Sequence, residues 1–390
     1  MQRKKVMVFC DYYLPGFKSG GGMWTVVNLI ERFGDIYEFY VVARNHDGKT
    51  DRKPYDSVKT GDWNNVGSAK VFYLGPRQLT RRAFGQLLTG IRPDVVFVNS
   101  VLSLPSITFM RTRKNPEFSG IPVIVSPCGE LSPASLEIKG VKKGLFLKYA
   151  QLSGLYRNVI WRASYETDAE EIRSAIGRDI EILCAPDLPP KAILPTLDLS
   201  DKPEKIPGSV RFVFVSRIDP KKNLHFLLEQ LATLQSGDIE LDVVGPFEHK
   251  EYWKKCQAAA KKLPRNIKMN VLGPLTYPET LERMKRAHFF VLPTLNENFG
   301  YVFIEALACG SPLLISDRTV WGSITERGAG WTVPIENPEG WREMLRRCVE
   351  MDQQEFSQMA GAARDYAVEW LANPEIEEAS AKLLERASRY

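Results

Sequence analysis

The chain has 390 residues, 44% of them apolar and 25% charged, with a formal net charge of +5. That length fits two domains better than one, and the composition supports sizeable cores without disulfides or metals. The mild positive charge favours anionic ligands or surfaces without specifying either, no basic stripe or reading module points to nucleic acid, and no apolar run approaches the roughly 18 residues of a membrane-spanning helix.

The opening "MQRKKVMVFCDYYLPG" is basic and then briefly apolar, and the short apolar run reads as a first strand rather than a leader peptide. Further apolar runs follow at 37–43, 69–75, 93–99, 122–127, 158–164 and 181–186. Most are continuous rather than alternating, as strands covered on both faces are. Helical patterns lie between several of them, at 23–33 and 166–177. Thr167 with Glu170 three positions later offers a capping box for the second of these. A proline-rich stretch then interrupts the pattern, so a linker is expected at 188–208 between a first domain of 1–187 and a second of 209–372. The second domain restarts with runs at 210–217, 239–245, 267–273, 288–293, 312–316 and 330–334, with helices at 222–234 and 278–287 between them. The expected class is α/β: two Rossmann-like parallel-sheet domains facing a cleft. A break at Pro374 separates off a last helix, 373–390.

In such folds the functional residues sit in loops after strands. The first is "DYYLPGFKSGGGMW" (11–24), where Gly20, Gly21 and Gly22 precede a helix. Close backbone approach to a phosphate or sugar is one reading, and a plain glycine turn the other. The pattern is not G-x-G-x-x-G, and no acidic ribose anchor follows, which disfavours a nicotinamide cofactor. The second is "SRIDPKKNL" (216–224), where Arg217, Lys221 and Lys222 could neutralise a diphosphate leaving group or form a solvated basic turn. Lys221 is the one of the three expected to be merely solvated. The third is "LPTLNENFGYVFIEALACG" (292–310), with Glu297 in the loop and Glu305 in a helix of 301–309 that stops at Gly310. A carboxylate among apolar neighbours needs partners or a raised pKa, and ribose or sugar hydroxyls would serve. A helix-start charge and a structural anchor are the bland alternatives.

These motifs carry a resemblance. The chain resembles the retaining GT-B glycosyltransferases of family 4, the group 1 glycosyltransferases, of the surface-polysaccharide type. The family's paired glutamates stand here as "ENFGYVFIE", its basic pair as Arg217 and Lys222, and its glycine loop as "SGGGMW". The resemblance implies metal-independent, retaining transfer of a hexose-type sugar from a UDP-, GDP- or ADP-linked donor to a saccharide or lipid-linked saccharide hydroxyl, and no cofactor. It gives the diphosphate to Arg217 and Lys222, the donor sugar to Glu297, and the donor ribose to Glu305. It adds Gly21, Gly22, Asn298, Phe299 and Gly300 to the nucleotide-sugar contacts, places the base near Leu272, and has the last helix cross back to the first domain. A nucleotide-sugar epimerase or hydrolase of the same fold, or a silent sugar-nucleotide scaffold, is the alternative.

The first domain departs from the family pattern. Cys128 stands where many relatives carry a histidine, and Glu130 follows in the same loop. Glu130 is a candidate for accepting the acceptor hydroxyl's proton or binding the acceptor, against a purely structural role. Cys128 has no neighbouring histidine to activate it. His225, His249 and His288 are too scattered for a metal site, and none is expected. Six cysteines without C-x-x-C or pairing rhythm favour a reducing, cytoplasmic setting. The segment 136–158, with Lys139, Lys142, Lys143, Lys148 and Arg157 among leucines and aromatics, suits peripheral contact with the anionic inner face of the plasma membrane. An ordinary surface helix reads the same way.

Overall fold

A computed structural model describes residues 3–48, 51–137, 140–191 and 198–389. The chain forms two compact units, Met1–Pro190 with Pro374–Tyr390, and Lys191–Asn373. Residues 192–197 of the expected linker and Lys139 of the basic segment lie outside the described residues.

The first unit is built on β1 (Lys5–Phe9), β2 (Glu38–Arg44), β3 (Trp63–Val66), β4 (Ala69–Leu74), β5 (Val95–Asn99), β6 (Val123–Ser126), β7 (Ile160–Ala163) and β8 (Glu181–Cys184). They form one sheet in the order β3-β4-β2-β1-β5-β6-β7-β8. Val6 of β1 stands opposite Phe39 of β2 and Val95 of β5, all three in parallel register. Because helices cover both faces, the central strands are fully buried, which is why they read as unbroken apolar runs. Phe9 stacks between Phe84 and Phe109 on one face.

Three details differ from the sequence reading. β3 pairs antiparallel with β4 and was hidden by its polar residues Asn64 and Asn65, which an edge strand tolerates. The helix expected at 166–177 spans Glu166–Ile176, with Tyr165 rather than Thr167 as its N-cap and no side-chain cap bond. In place of a capping box, the Asp168 carboxylate accepts from the Ser164 N–H at 2.8 Å. In the second unit, the helix expected at 222–234 spans Leu224–Leu231, because Asn223 adopts a left-handed φ of 59° and separates it from a short 3-10 turn, Pro220–Lys222.

The second unit contains β9 (Ser209–Val215), β10 (Asp238–Val244), β11 (Ile267–Gly273), β12 (Phe289–Leu292), β13 (Leu313–Ser316) and β14 (Gly330–Val333), in the order β11-β10-β9-β12-β13-β14. Each neighbouring pair is parallel. The stretch before β9 is pinned to this unit by two lysines. Lys202 Nζ donates to Met284 O, Cys309 O and Ser311 Oγ at 2.7–3.1 Å. Lys205 Nζ donates to Val349 O and Met351 O at 3.0 and 2.9 Å. Both thereby occupy carbonyls at helix C-terminal ends, where a cation is favoured. After the helix Gln353–Leu371 the chain returns to the first unit as the helix Pro374–Ala387. Arg386 there pairs with Glu181 of β8 at 2.9 Å, and the Ser388 carbonyl accepts from Lys4. Among the described residues no helix is long and apolar enough to cross a membrane.

Candidate active site

In the second sheet β9 lies between β10 and β12, so the chain departs to opposite sides of it. The loops after β9 and β12 therefore emerge side by side at the carboxyl ends of two neighbouring strands, where a sheet of this topology is expected to hold its ligand crevice. The loop after β9 carries Arg217, Lys221 and Lys222, and the loop after β12 carries Glu297. The two loops are bonded together: Leu295 N–H donates to the Lys221 carbonyl at 2.7 Å, and so does Thr294 Oγ1 at 3.2 Å.

Across this junction Lys222 Nζ pairs with Glu297 Oε2, both side chains largely buried. The Asp219 carboxylate shapes the lysine turn by accepting from the N–H groups of Lys221 and Lys222. Arg217 is half-buried and held by two carboxylates, Glu248 at 3.4 Å and Asp219 at 3.8 Å. Burial alone would raise the Glu297 carboxyl. Lys222, Lys221 and Arg217 outweigh it and hold the group below its usual range, so it is ionised at neutral pH. Lys221, expected to be solvated, is instead partly enclosed, and burial pulls it down to about 8. The result is a compact set of three cations and three carboxylates on converging loops, a site able to exchange internal ion pairs for an anionic ligand. Asp219 and Glu248 were not singled out from the sequence. Glu248 sits 31 positions from Arg217, and only the neighbouring of β9 and β10 brings it there.

Gly300 opens the next helix, Tyr301–Ala308, with a φ of 74°, and a Cβ there would meet the Phe303 ring at 2.6 Å. Only glycine fits that turn. A similar close approach occurs at Gly245, where a Cβ would lie 1.9 Å from the Ser216 carbonyl oxygen, so the loops after β9 and β10 touch through backbone. Phe299 points away from the crevice. Its ring stacks on Trp370 at 5.0 Å and packs against Trp321, whose indole N–H donates to the Phe299 carbonyl at 2.7 Å. Any contact Phe299 makes with a ligand is therefore through its backbone. Asn298 beside it is half-buried.

Glu305 lies in the second turn of that helix and is 6% exposed. Among the described residues none hydrogen-bonds or pairs with its carboxylate, and burial raises its pKa to about 8. A carboxyl buried in this way holds its proton unless a partner stabilises the charge. Leu272 stands near the end of β11, separated from β9 by β10, and is not drawn into the ion cluster.

In the first unit the glycines lead directly into the helix Gly21–Phe33. Asn99, at the end of β5, donates its amide to the Gly22 carbonyl at 2.7 Å and accepts from the Cys128 thiol at 3.2 Å. Burial pushes the Cys128 thiol up to about 12, which removes it as a nucleophile at neutral pH. Cys128 and Glu130 are both half-buried, and the Glu130 carboxylate accepts from Ser100 Oγ at 2.7 Å, Val101 N–H at 2.8 Å and Leu102 N–H at 3.1 Å. Burial raises its pKa although those donors oppose the rise. Among the described residues no His, Cys, Asp or Glu cluster is arranged to hold a metal ion.

Residues 198–366 match the family model for glycosyl transferases group 1. The match lies within the second unit, and the chain as a whole has the GT-B fold. The matched residues cover most of the second unit and include Arg217, Lys222, Glu297 and Glu305. The chain is 27% identical over 219 residues to a D-inositol 3-phosphate glycosyltransferase of Jonesia denitrificans, covering 52% of this chain and 51% of that one. It is 29% identical over 204 residues to a phosphatidyl-myo-inositol mannosyltransferase of Mycolicibacterium smegmatis, covering 50% of each. The chain thus spans about half the length of the curated relatives it matches. Among solved structures, sucrose-phosphate synthase from Thermosynechococcus elongatus superposes with a TM-score of 0.73 at 16% identity, over 99% of both chains. HepE of Anabaena, solved with UDP and glucose, gives 0.69 at 16% identity over the whole of both chains. At that identity the likeness is one of fold.

Proposed function

We propose that this chain moves a hexose-type sugar from a nucleotide diphosphate sugar to a hydroxyl of a saccharide or lipid-linked saccharide, with retention at the anomeric carbon. The observation that carries the reading is the Lys222–Glu297 pair beside Arg217, at the ends of β9 and β12. A diphosphate entering there takes over Arg217 and Lys222 from Glu248, Asp219 and Glu297. Glu297, still ionised, is then available to the sugar hydroxyls, together with Asn298 and the backbone of Phe299 and Gly300. The unpartnered Glu305 carboxylate suits ribose hydroxyls, the end of β11 at Leu272 suits the base, and Gly21 and Gly22 are assigned to the donor on the likeness of their loop.

In the transfer the bond from the anomeric carbon to the phosphate oxygen breaks, and its electron pair stays on the phosphate. Arg217 and Lys222 stabilise that developing charge, where fixed cations contribute most. The acceptor oxygen bonds to the anomeric carbon from the same face, and its proton passes to the departing phosphate oxygen. No enzyme base is needed in this route, so the cysteine in the histidine's place is tolerated. Glu130, with its carboxylate committed to the 100–102 loop, is a positioning residue for that loop. A relative named a phosphatidyl-myo-inositol mannosyltransferase supports an acceptor carried on lipid, with the enzyme in peripheral contact with anionic lipid at the inner face of the plasma membrane.

A thermal-shift screen with UDP, GDP, ADP and their sugars, followed by mass spectrometry and anomeric NMR of products, tests the reading. Stabilisation by one nucleotide diphosphate and an acceptor product of retained configuration are expected. An inverted product refutes the mechanism. Free sugar or an epimerised donor formed without acceptor selects hydrolase or epimerase chemistry instead.

A further inference from the structure

We infer that the helix Gly140–Leu152, with the outward face of the neighbouring helix Leu104–Thr112, is the surface by which this chain lies on anionic phospholipid. The inference deepens the membrane contact proposed above, and rests on it, by naming the face. The helix is apolar on two sides. Leu147 and Ala150 are buried in the first unit's core. On the opposite side Val141 is 80% exposed, Leu145 64%, Tyr149 42% and Leu152 89%. At about 100° per residue, positions 141, 145, 148, 149 and 152 fall within a stripe about 100° wide. An exposed row of large apolar side chains on a soluble surface calls for something to cover it.

Charge identifies the cover. Segments 104–115 and 140–158 contain seven Lys and Arg residues and no Asp or Glu. Lys148 lies within the stripe and Lys142 on its border, both exposed. Arg111 holds its guanidinium over the Tyr149 ring at 5.4 Å, which joins the two helices into one surface. Leu104, one heptad before Arg111, is 53% exposed on the same side. Leucines flanked by cations match the boundary between acyl chains and acidic headgroups. A second copy docked by two-fold symmetry would set this patch against itself, cation against cation.

The test is sedimentation of the full chain with vesicles of phosphatidylcholine alone or mixed with phosphatidylglycerol, without donor or acceptor. Wild type should pellet with the mixed vesicles, not with phosphatidylcholine alone, and less as salt rises. L145E/L152E should abolish pelleting, and its thermal midpoint should be unchanged because both side chains are solvent-facing. K142E/K148E should weaken it by at least about 30-fold, from about fivefold for each lysine removed. Wild type that fails to pellet with acidic vesicles overturns the lipid partner altogether. Variants that pellet like wild type overturn this face while leaving the membrane reading intact. Self-association of wild type in sedimentation velocity that L145E/L152E abolishes would assign the face to a second copy and overturn the inference.

Discussion

Replacing Glu305 by Gln should make this protein more stable and less able to bind its donor. The carboxyl is buried without a partner, and its pKa is raised from 4.5 to about 8. In the folded state it holds a proton that the unfolded chain gives up above pH 4.5. The contribution is fully present below that value and is lost progressively as pH rises through 8. Between 4.5 and pH 7 each pH unit costs the folded state about 1.4 kcal/mol, about 3 kcal/mol in all. Glutamine keeps the shape and cannot ionise. E305Q should therefore exceed wild type by about 3 kcal/mol at pH 7 and match it near pH 4.5. Urea unfolding from pH 4.5 to 8 measures the difference. A gap that stays constant across that range, or an E305Q less stable than wild type at pH 7, would mean the carboxylate is ionised and held, and would refute the reasoning. Ribose hydroxyls prefer the carboxylate, so donor binding to wild type below pH 8 should release a proton, detectable by calorimetry in buffers of different ionisation enthalpy. E305Q should release none and bind more weakly.

The Lys222–Glu297 pair makes a second prediction. K222M removes the direct partner of the Glu297 carboxylate, leaving it to Lys221 and Arg217, and should cost up to about 3 kcal/mol, while K222M/E297Q should recover most of that stability without recovering turnover. E130Q should weaken the anchoring of the 100–102 loop and cost about 1–3 kcal/mol in urea unfolding. Its KM for acceptor should rise more than its KM for donor if the loop serves the acceptor. Cys128 should resist iodoacetamide at pH 8 under native conditions while the exposed Cys184 is labelled, as peptide mass spectrometry would read. K205M leaves the Val349 and Met351 carbonyls without their cation and should lower the second unit's stability by about 1–3 kcal/mol, measured by its thermal midpoint.

Much of the fold is legible in the sequence because parallel strands covered on both faces must be apolar through their centres, as Val6, Met7, Val8 and Phe9 of β1 and Val95, Val96, Phe97 and Val98 of β5 are. β3 is not, since an edge strand needs no such run and its Asn64 and Asn65 read as a loop. Arg217, Lys222 and Glu297 could be picked out because functional loops follow strands, but their pairing depends on β9 lying beside β12, which no local pattern reports. Ser100, which donates to Glu130, and Glu248, which pairs with Arg217, are each about 30 positions from their partners in the chain, beyond the reach of spacing arguments. Whether the basic helix was an ordinary surface element could not be read from its composition, because the side chains that decide it alternate between a buried and an exposed side of the same helix. The break at Asn223 was missed because its left-handed turn leaves no mark in the apolar rhythm.

On the proposed assignment of this loop to the donor sugar, the packing of Phe299 between Trp321 and Trp370 bears on re-tailoring the protein to another sugar. That loop is moored from behind by an aromatic cluster, so its course survives changes in front. Gly300 and Phe299 are closed to variation, the one by its turn and the other by its mooring. Libraries aimed at a new donor should accordingly leave these two positions fixed and vary the loop around them.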